Sequence, residues 1–531
     1  MIVHPKKKLT VKRSLLTALT LAAVLSAILQ AFIDPSTVNL ACVCWILASS
    51  LSVLLYVGCS RNIISQPLST FAIVGFCVTT QLGALLAQTT AWTPVDDSLY
   101  QPVQTFATLA AYQGIAILAH IAYCSVANNR ARNIGRPGTL RSALAWAGVY
   151  ETPPLGALWL MGCVGLVSFV VSTDQGVVGH IAEWFRFLTW APFLSVVYAR
   201  QTGTQYRRTG RNRIALVFFS SLIVVLAIGL NIRQIMFFGV ATILLLFLLY
   251  GLRSDSPVRG RSIARLGIAA LLILAASGPV SDLATAMAVA RAQRGKVPAV
   301  EMIATTIEIW QRPYLIDEYR AWEKRTLSSS RYDESYIANP LLARFVETKF
   351  HDNALYFAGL LSESEKAEFD QFSLDSVIAV LPEPALELLS LDVSKERFPV
   401  TVGDELAYLV RGVPLGGFKT GSMLAQGEIV FGILFPLIYA VFCLALYAVL
   451  DLLTIHLVSA PAYICAVGMM NTWQLFIYGI TADSFEGIVF LFVREVPQMI
   501  AIYCALLGLY KLTVGGSSSS AAAAPPVSDC S

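Results

Sequence analysis

The chain has 531 residues, 56% of them hydrophobic and only 14% charged, with a mean hydropathy of +0.65 and a formal net charge of +4. That composition excludes a soluble protein of this size, and many apolar runs reach the roughly 20 residues a bilayer-crossing helix needs. The runs lack the alternation of barrel strands, so the expected class is all-α, a polytopic transmembrane helical bundle.

The N-terminal stretch "MIVHPKKKLTVKRSLLTALTLAAVLSAILQAFI" has a basic start, like a signal peptide. Its apolar part is longer than a usual signal core and lacks a small-x-small cleavage site, so it reads as a retained first span. About twelve spans are expected by length and apolarity. They cover 14–33, 38–58, 70–90, 104–127, 155–173, 177–198, 214–230, 233–252, 263–281, 424–450, 454–476 and 487–510. Basic residues test this order, because cytoplasmic connections collect Lys and Arg. Lys6, Lys7, Lys8, Lys12 and Arg13 put the N-terminus in the cytoplasm. Alternation then places Arg61, "NNRARNIGRPGTLR", "RQTGTQYRRTGRNR", "RSDSPVRGRSIAR" and Lys511 on that side, whereas "AWTPVDDSLYQPV" and "STDQG", opposite, carry no Lys or Arg.

Four regions follow: 1–281 with nine spans, a long polar loop over 282–423, three spans over 424–512, and a disordered cytoplasmic tail over 513–531. Parity places the loop outside, and its length exempts it from the charge rule. "VEMIATTIEIWQRPYLIDEYRAWEKR" and "SESEKAEFDQFSLDSVIAVL" read as amphipathic helices, the second opening on a Ser362–Glu365 capping pattern. A loop this long is usually functional. None of the ten cysteines lies in it; they are scattered over apolar runs and the tail and form neither a disulfide framework nor a metal cage.

Charges inside spans are costly and are candidates for function. His180, Glu183 and Arg186 fall in the outer half of the sixth span. Arg233 sits at the outer mouth of the eighth. Lys419 stands at the mouth of the tenth, with Glu428 below it, and Arg494 lies about 12 Å down the twelfth. They converge on the outer leaflet, as a site for an anionic lipid headgroup requires, since Arg gives charge-assisted, often bidentate contacts to phosphate. Each also has a plain structural reading: Glu183 with Arg186 as an i,i+3 pair, Arg494 in a buried bridge, Arg233 as an interfacial side chain.

Within the loop, "ARFVETKFHDNALYFAG" brings His351 beside Asp352 and Asn353, with Arg344 upstream. No second His or Cys in the loop completes a zinc site. A neutral His next to Asp suits a general base, or it orients a substrate or closes a local network. "RGVPLGGFKTGSMLAQGEIVFG", from Arg411, is Gly-rich; it either lets backbone N–H groups approach a phosphate or is a flexible re-entry into the membrane. "LPEP" is a corner.

The architecture, together with "NIRQIMFF", "ARFVETKFHDNALYF", "VIAVLPEPALELL" and "GGFKTGSMLAQGEIVFG", resembles the Wzy-type O-antigen and exopolysaccharide polymerases and the related O-antigen ligases. The ligases typically show a His-Asn element in their outer loop; here an Asp stands between the two. The resemblance implies a glycosyltransferase of the bacterial inner membrane that needs neither cofactor, metal nor nucleotide sugar and binds no nucleic acid. Its donor is a glycan on polyprenyl diphosphate and its acceptor a hydroxyl of another lipid-linked repeat. His351, Asp352 or Glu428 would serve as base. Arg233, Arg186, Glu183, Arg344, Asn353, Arg411, Lys419 and Arg494 would hold the diphosphate and substrate. A flippase and a chain-length regulator are the implied partners. The competing readings are a ligase-like transferase, a transporter or flippase of lipid-linked saccharides, and a non-catalytic scaffold.

Overall fold

A computed structural model describes residues 10–133, 139–172, 176–201, 210–233, 235–254, 256–257, 278–294, 296–329, 332–337, 339, 342–381, 383–391, 393, 400–455, 461–481 and 483–514. Most of the expected ninth span, most of the tail, the lysines before Thr10 and parts of several basic connections lie outside these residues.

The protein is an all-α membrane bundle. Among the described residues, eight helices are long and apolar enough to cross a membrane. In chain order, six come early: α1 (Val11–Ile33), α2 (Thr37–Cys59), α3 (Pro67–Ala91), α4 (Pro102–Asn133), then, after the shorter α5 (Leu155–Val171), α6 (Gly210–Gly229) and α7 (Ile235–Leu252). The polar segment contributes α8 (Ala299–Trp310), α9 (Pro313–Ser329), α10 (Thr348–Ala358), α11 (Glu363–Ala379) and α12 (Val402–Arg411). The spans α13 (Met423–Leu452) and α14 (Phe485–Val514) complete the bundle. The Ser362–Glu365 capping box at the start of α11 is present in full.

Two expected spans are not continuous helices. The sixth breaks into a helix over Val177–Glu183, a 3-10 stretch over Arg186–Phe193 and a helix over Leu194–Gln201. Pro192 removes a backbone donor there. The irregular stretch also lies hard against α5, where a Cβ on Gly165 would come within 2.2 Å of the Thr189 nitrogen. The eleventh becomes a two-strand hairpin, β1 (Thr454–Ile455) with β2 (Tyr463–Ile464), followed by short helices Ala466–Met470 and Thr472–Ile477. Both breaks are packed among other helices, and irregular backbone at membrane depth is tolerated only where it is covered by protein.

The connections sort into two ends. At one end Lys12 donates to the Ser60 carbonyl at 3.3 Å, Arg141 pairs with Asp451 at 2.8 Å, Lys511 pairs with Glu151, and Arg253 donates to the Ala462 carbonyl. At the other end the Gln30 amide donates to the Thr93 carbonyl at 2.9 Å, and the Val95 N–H donates to Asn39 at 3.1 Å. The polar segment joins this second end, where the Tyr336 hydroxyl donates to the Val95 carbonyl at 2.7 Å.

Helix α10 goes deeper. Over Val78–Leu82 the span α3 widens into a π-helical turn, which leaves carbonyls without their usual i+4 partners. The Glu347 N–H takes the Thr79 carbonyl at 2.8 Å, and the Thr348 hydroxyl takes that of Thr80 at 2.7 Å. Thr80 is eleven residues from the end of α3, about 17 Å at the helical rise. The start of α10 is therefore held inside the bundle.

Candidate functional site

Helix α10 carries the densest set of candidates, and all are enclosed: His351 is 3% exposed, Asp352 and Asn353 0%. Asp352 has a clear task. One carboxylate oxygen accepts the Tyr100 N–H at 2.7 Å; the other accepts the Gln101 N–H at 3.0 Å and the Thr105 hydroxyl at 2.9 Å. These are the free donors where α4 begins, so a carboxylate from a distant helix caps α4 and meets its positive end. Lys349 stands 3.6 Å from Asp352, donates to the Ser98 carbonyl, and lies 4.2 Å from the Tyr100 ring centre. Burial pulls the Lys349 ammonium below its usual range, against Asp352, which favours the charge.

His351 faces the mouth of α13. Its Nδ1 is 2.7 Å from the Ser422 hydroxyl, which is also the N-cap of α13, accepting the Ala425 N–H. Burial holds the imidazole well below its ordinary value, down to about 4, so it is neutral near pH 7. Asn353 donates to the Asp333 carbonyl at 2.8 Å, while its side-chain oxygen is buried without a partner among the described residues. Helix α12 packs against α10, and the Arg411 guanidinium lies over Phe357, 5.7 Å from the ring centre. Glycines 412 and 416 take positive φ in the turn after α12, a conformation side chains resist. Lys419 pairs with buried Asp404 at 2.7 Å. Burial alone would raise the Asp404 carboxyl. Hydrogen bonds from the Lys419 ammonium and from the Phe418 and Lys419 amides outweigh it and hold the group below the usual carboxylate range. Lys419 is thus committed to closing this turn. Glu428, on the second turn of α13, is exposed and accepts the Tyr112 hydroxyl at 3.1 Å.

Arg186 and Arg494 form a second group, about Glu183 and Trp184. Arg186 pairs with Glu183 at 3.2 Å, donates to the Ser172 hydroxyl and rests over Phe169. Arg494 lies over Trp184, 5.8 Å from its ring centre, and beside Phe490, on a π-helical turn of α14. His180 is exposed one turn before Trp184. Arg233 is half-buried in the turn between α6 and α7, which Asn231 fastens by donating to the Met287 carbonyl at 2.8 Å. The side chain of Arg344 lies outside the described residues. An aromatic row links the groups: Phe345 meets Trp473 (5.1 Å), Trp473 meets Phe238 (4.8 Å), and Phe238 meets Trp190 (5.5 Å).

Among the described residues, no group of three or more His, Cys, Asp or Glu side chains is disposed to hold a metal ion. No family model, curated protein or solved structure matches the chain. The site therefore rests on its own geometry.

Sequence reasoning passed over Ser422, which looks like an ordinary helix cap, and Asp404. It also passed over His120, fully buried in α4 with Nδ1 at 2.5 Å from the Tyr56 hydroxyl and Nε2 at 2.8 Å from Ser69. The signal for His120 was available: an ionisable residue in the middle of "ILAHIAY".

Proposed function

We propose that the protein is an integral-membrane glycosyltransferase that polymerises oligosaccharide repeats carried on polyprenyl diphosphate, at the outer face of a bacterial cytoplasmic membrane. The observation that carries this reading is the setting of His351. A polar segment between two spans sends one helix into the bundle, and its histidine meets the mouth of α13 at the end opposite the cluster of Lys12, Arg141, Arg253 and Lys511. On the positive-inside rule that basic end is cytoplasmic, so the site faces outward, where lipid-linked glycans are joined.

In this reading the acceptor hydroxyl attacks the anomeric carbon and the diphosphate leaves with the bonding pair. Arg411, Arg233, Arg186 and Arg494 offer cationic groups to that developing charge. His351 and Glu428 are the residues suited to meet substrate oxygens. Asp352, with both oxygens engaged in capping α4, serves as a positioning residue. Of the aromatic row, Phe345, Trp473 and Phe238 are half-buried and would offer ring surface to a sugar, whereas Trp190 belongs to the core.

The size distribution of lipid-linked and surface glycan tests this, in cells lacking the protein and in cells given back wild type or His351→Ala. Single repeats outside in its absence, with long chains restored by wild type alone, is the expected result. Long chains left on lipid would identify a ligase. A transporter is the second reading, favoured by the enclosed His120–Tyr56–Ser69 network, a polar feature in α4 remote from α10; repeats trapped on the inner face would decide for it.

A further inference from the structure

The hydrogen bonding around Ser422 sets which nitrogen of His351 carries its proton. Ser422 is fully buried, and as the N-cap of α13 its oxygen accepts the Ala425 N–H. Its hydroxyl proton has one acceptor among the described residues, the His351 Nδ1 at 2.7 Å. In the opposite arrangement Nδ1–H would donate to Ser422, and a buried O–H would be left with no acceptor, at a cost of about 1–3 kcal/mol. Ser422 therefore donates, Nδ1 accepts, and the neutral ring carries its hydrogen on Nε2. That nitrogen has no partner among the described residues, yet it is not one of the sealed, unpartnered polar atoms, so it borders accessible space.

A ring in that state presents an N–H and no lone pair. It cannot take a proton through Nε2. Resting on the glycosyltransferase reading, we propose that His351 is a hydrogen-bond donor to a phosphate oxygen of the lipid diphosphate, and that Ser422 is the positioning residue that fixes its tautomer. The surroundings suit an anion: through Ser422, His351 stands at the N-terminal, positive end of α13. In the transfer step the anomeric C–O bond breaks and its electron pair goes to the diphosphate oxygen. The Nε2–H of His351 hydrogen-bonds the departing diphosphate without giving up its proton. The acceptor oxygen forms the new C–O bond and loses its proton to a carboxylate, for which Glu428 is the candidate.

Glutamine separates a donor from a base, because its amide N–H reaches the Nε2 position but cannot take a proton near neutral pH. Purified wild type, His351→Gln, His351→Ala, Ser422→Ala and Ser422→Thr would be checked for a single gel-filtration peak, then titrated with undecaprenyl diphosphate in detergent micelles. Polymer formation from lipid-linked repeats would be measured in parallel. The donor assignment expects His351→Ala to weaken diphosphate binding about tenfold and to cut polymerisation about 100-fold or more, the usual loss for one transition-state donor. It expects His351→Gln to recover most of both, and Ser422→Thr to restore what Ser422→Ala loses. Wild-type binding of the lipid diphosphate in both His351 variants, with polymerisation abolished in both, would make His351 a base and overturn the proposal. Weak binding by His351→Gln equal to that of His351→Ala would overturn it as well, as would wild type failing to bind. If wild type binds the lipid diphosphate but forms no polymer, the polymerase reading fails alone, and the binding series still decides the donor.

Discussion

His351 and Asp352 are neighbours on one helical turn with opposite jobs. Asp352 spends a full charge on the start of α4, accepting two amides and one hydroxyl. Asp352→Ala removes these bonds and takes from buried Lys349 its paired carboxylate, leaving Asp333 as a weaker acidic neighbour, so a loss of about 3–5 kcal/mol is expected. A fall in the thermal midpoint of the detergent-solubilised protein would register it, and an unchanged midpoint would refute the capping role. His351 makes stability depend on pH. Burial lowers its folded-state value from 6.5 to about 4. Between those values the unfolded chain takes up a proton that the folded one refuses. The stability is therefore complete above pH 6.5 and is lost as pH falls toward 4, by about 1.4 kcal/mol per unit. Wild type should lose about 2 kcal/mol more than His351→Gln between pH 7.5 and pH 5. A wild-type-to-variant difference that stays constant over that interval would contradict the enclosed imidazole.

At the scale of elements, what was readable from sequence depended on whether the deciding partner was near or far along the chain. Eight spans were legible because length and apolarity alone make a crossing helix. The sixth and eleventh were misread as continuous, since an apolar run hides a break that is set by neighbours: Pro192 and Thr189 against α5, and the hairpin pairing of Thr454 with Ile464. The capping box of α11 was legible, being a pattern within four residues. The cap that Asp352 gives α4 was not, because donor and acceptor are about 250 residues apart. His351 stood out as an isolated histidine, whereas its partner Ser422 carried no mark. Close helix crossings were hidden too. A Cβ on Gly75 of α3 would lie 2.0 Å from the Phe476 carbonyl oxygen. Gly75→Ala is thus expected to force α3 and the Thr472–Ile477 helix apart and cost about 1–3 kcal/mol. Loss of monodisperse protein, or a lower midpoint, would show it; a neutral substitution would place the two helices farther apart than described.

For the whole molecule, the separation into a basic end and a site-bearing end makes sidedness testable without any glycan assay. Trp146, at the end of the short helix Thr139–Trp146 that carries Arg141, is 91% exposed, and Leu415 is exposed in the turn after α12. In a cysteine-free background, Leu415→Cys should react with a membrane-impermeant maleimide in intact cells. Trp146→Cys should react only after permeabilisation. The reverse pattern would invert the assignment of faces and remove the outward-facing chemistry with it.

The π-helical turn of α3 also bears on how the chain is made. The carbonyl of Thr80 and the hydroxyl that satisfies it are 268 residues apart. At about 5–20 residues per second, the ribosome needs roughly 10–50 s to bridge that interval. For that time α3 resides in the membrane without its partner, and bare carbonyls facing lipid are costly. A regular α-helical α3 is the economical form of the nascent chain, and the widened turn forms when α10 arrives. Threading of α10 is then a late step of biogenesis, so a protein cut short before residue 342 should reach the membrane with its early spans in place and its third helix wound differently from the finished one.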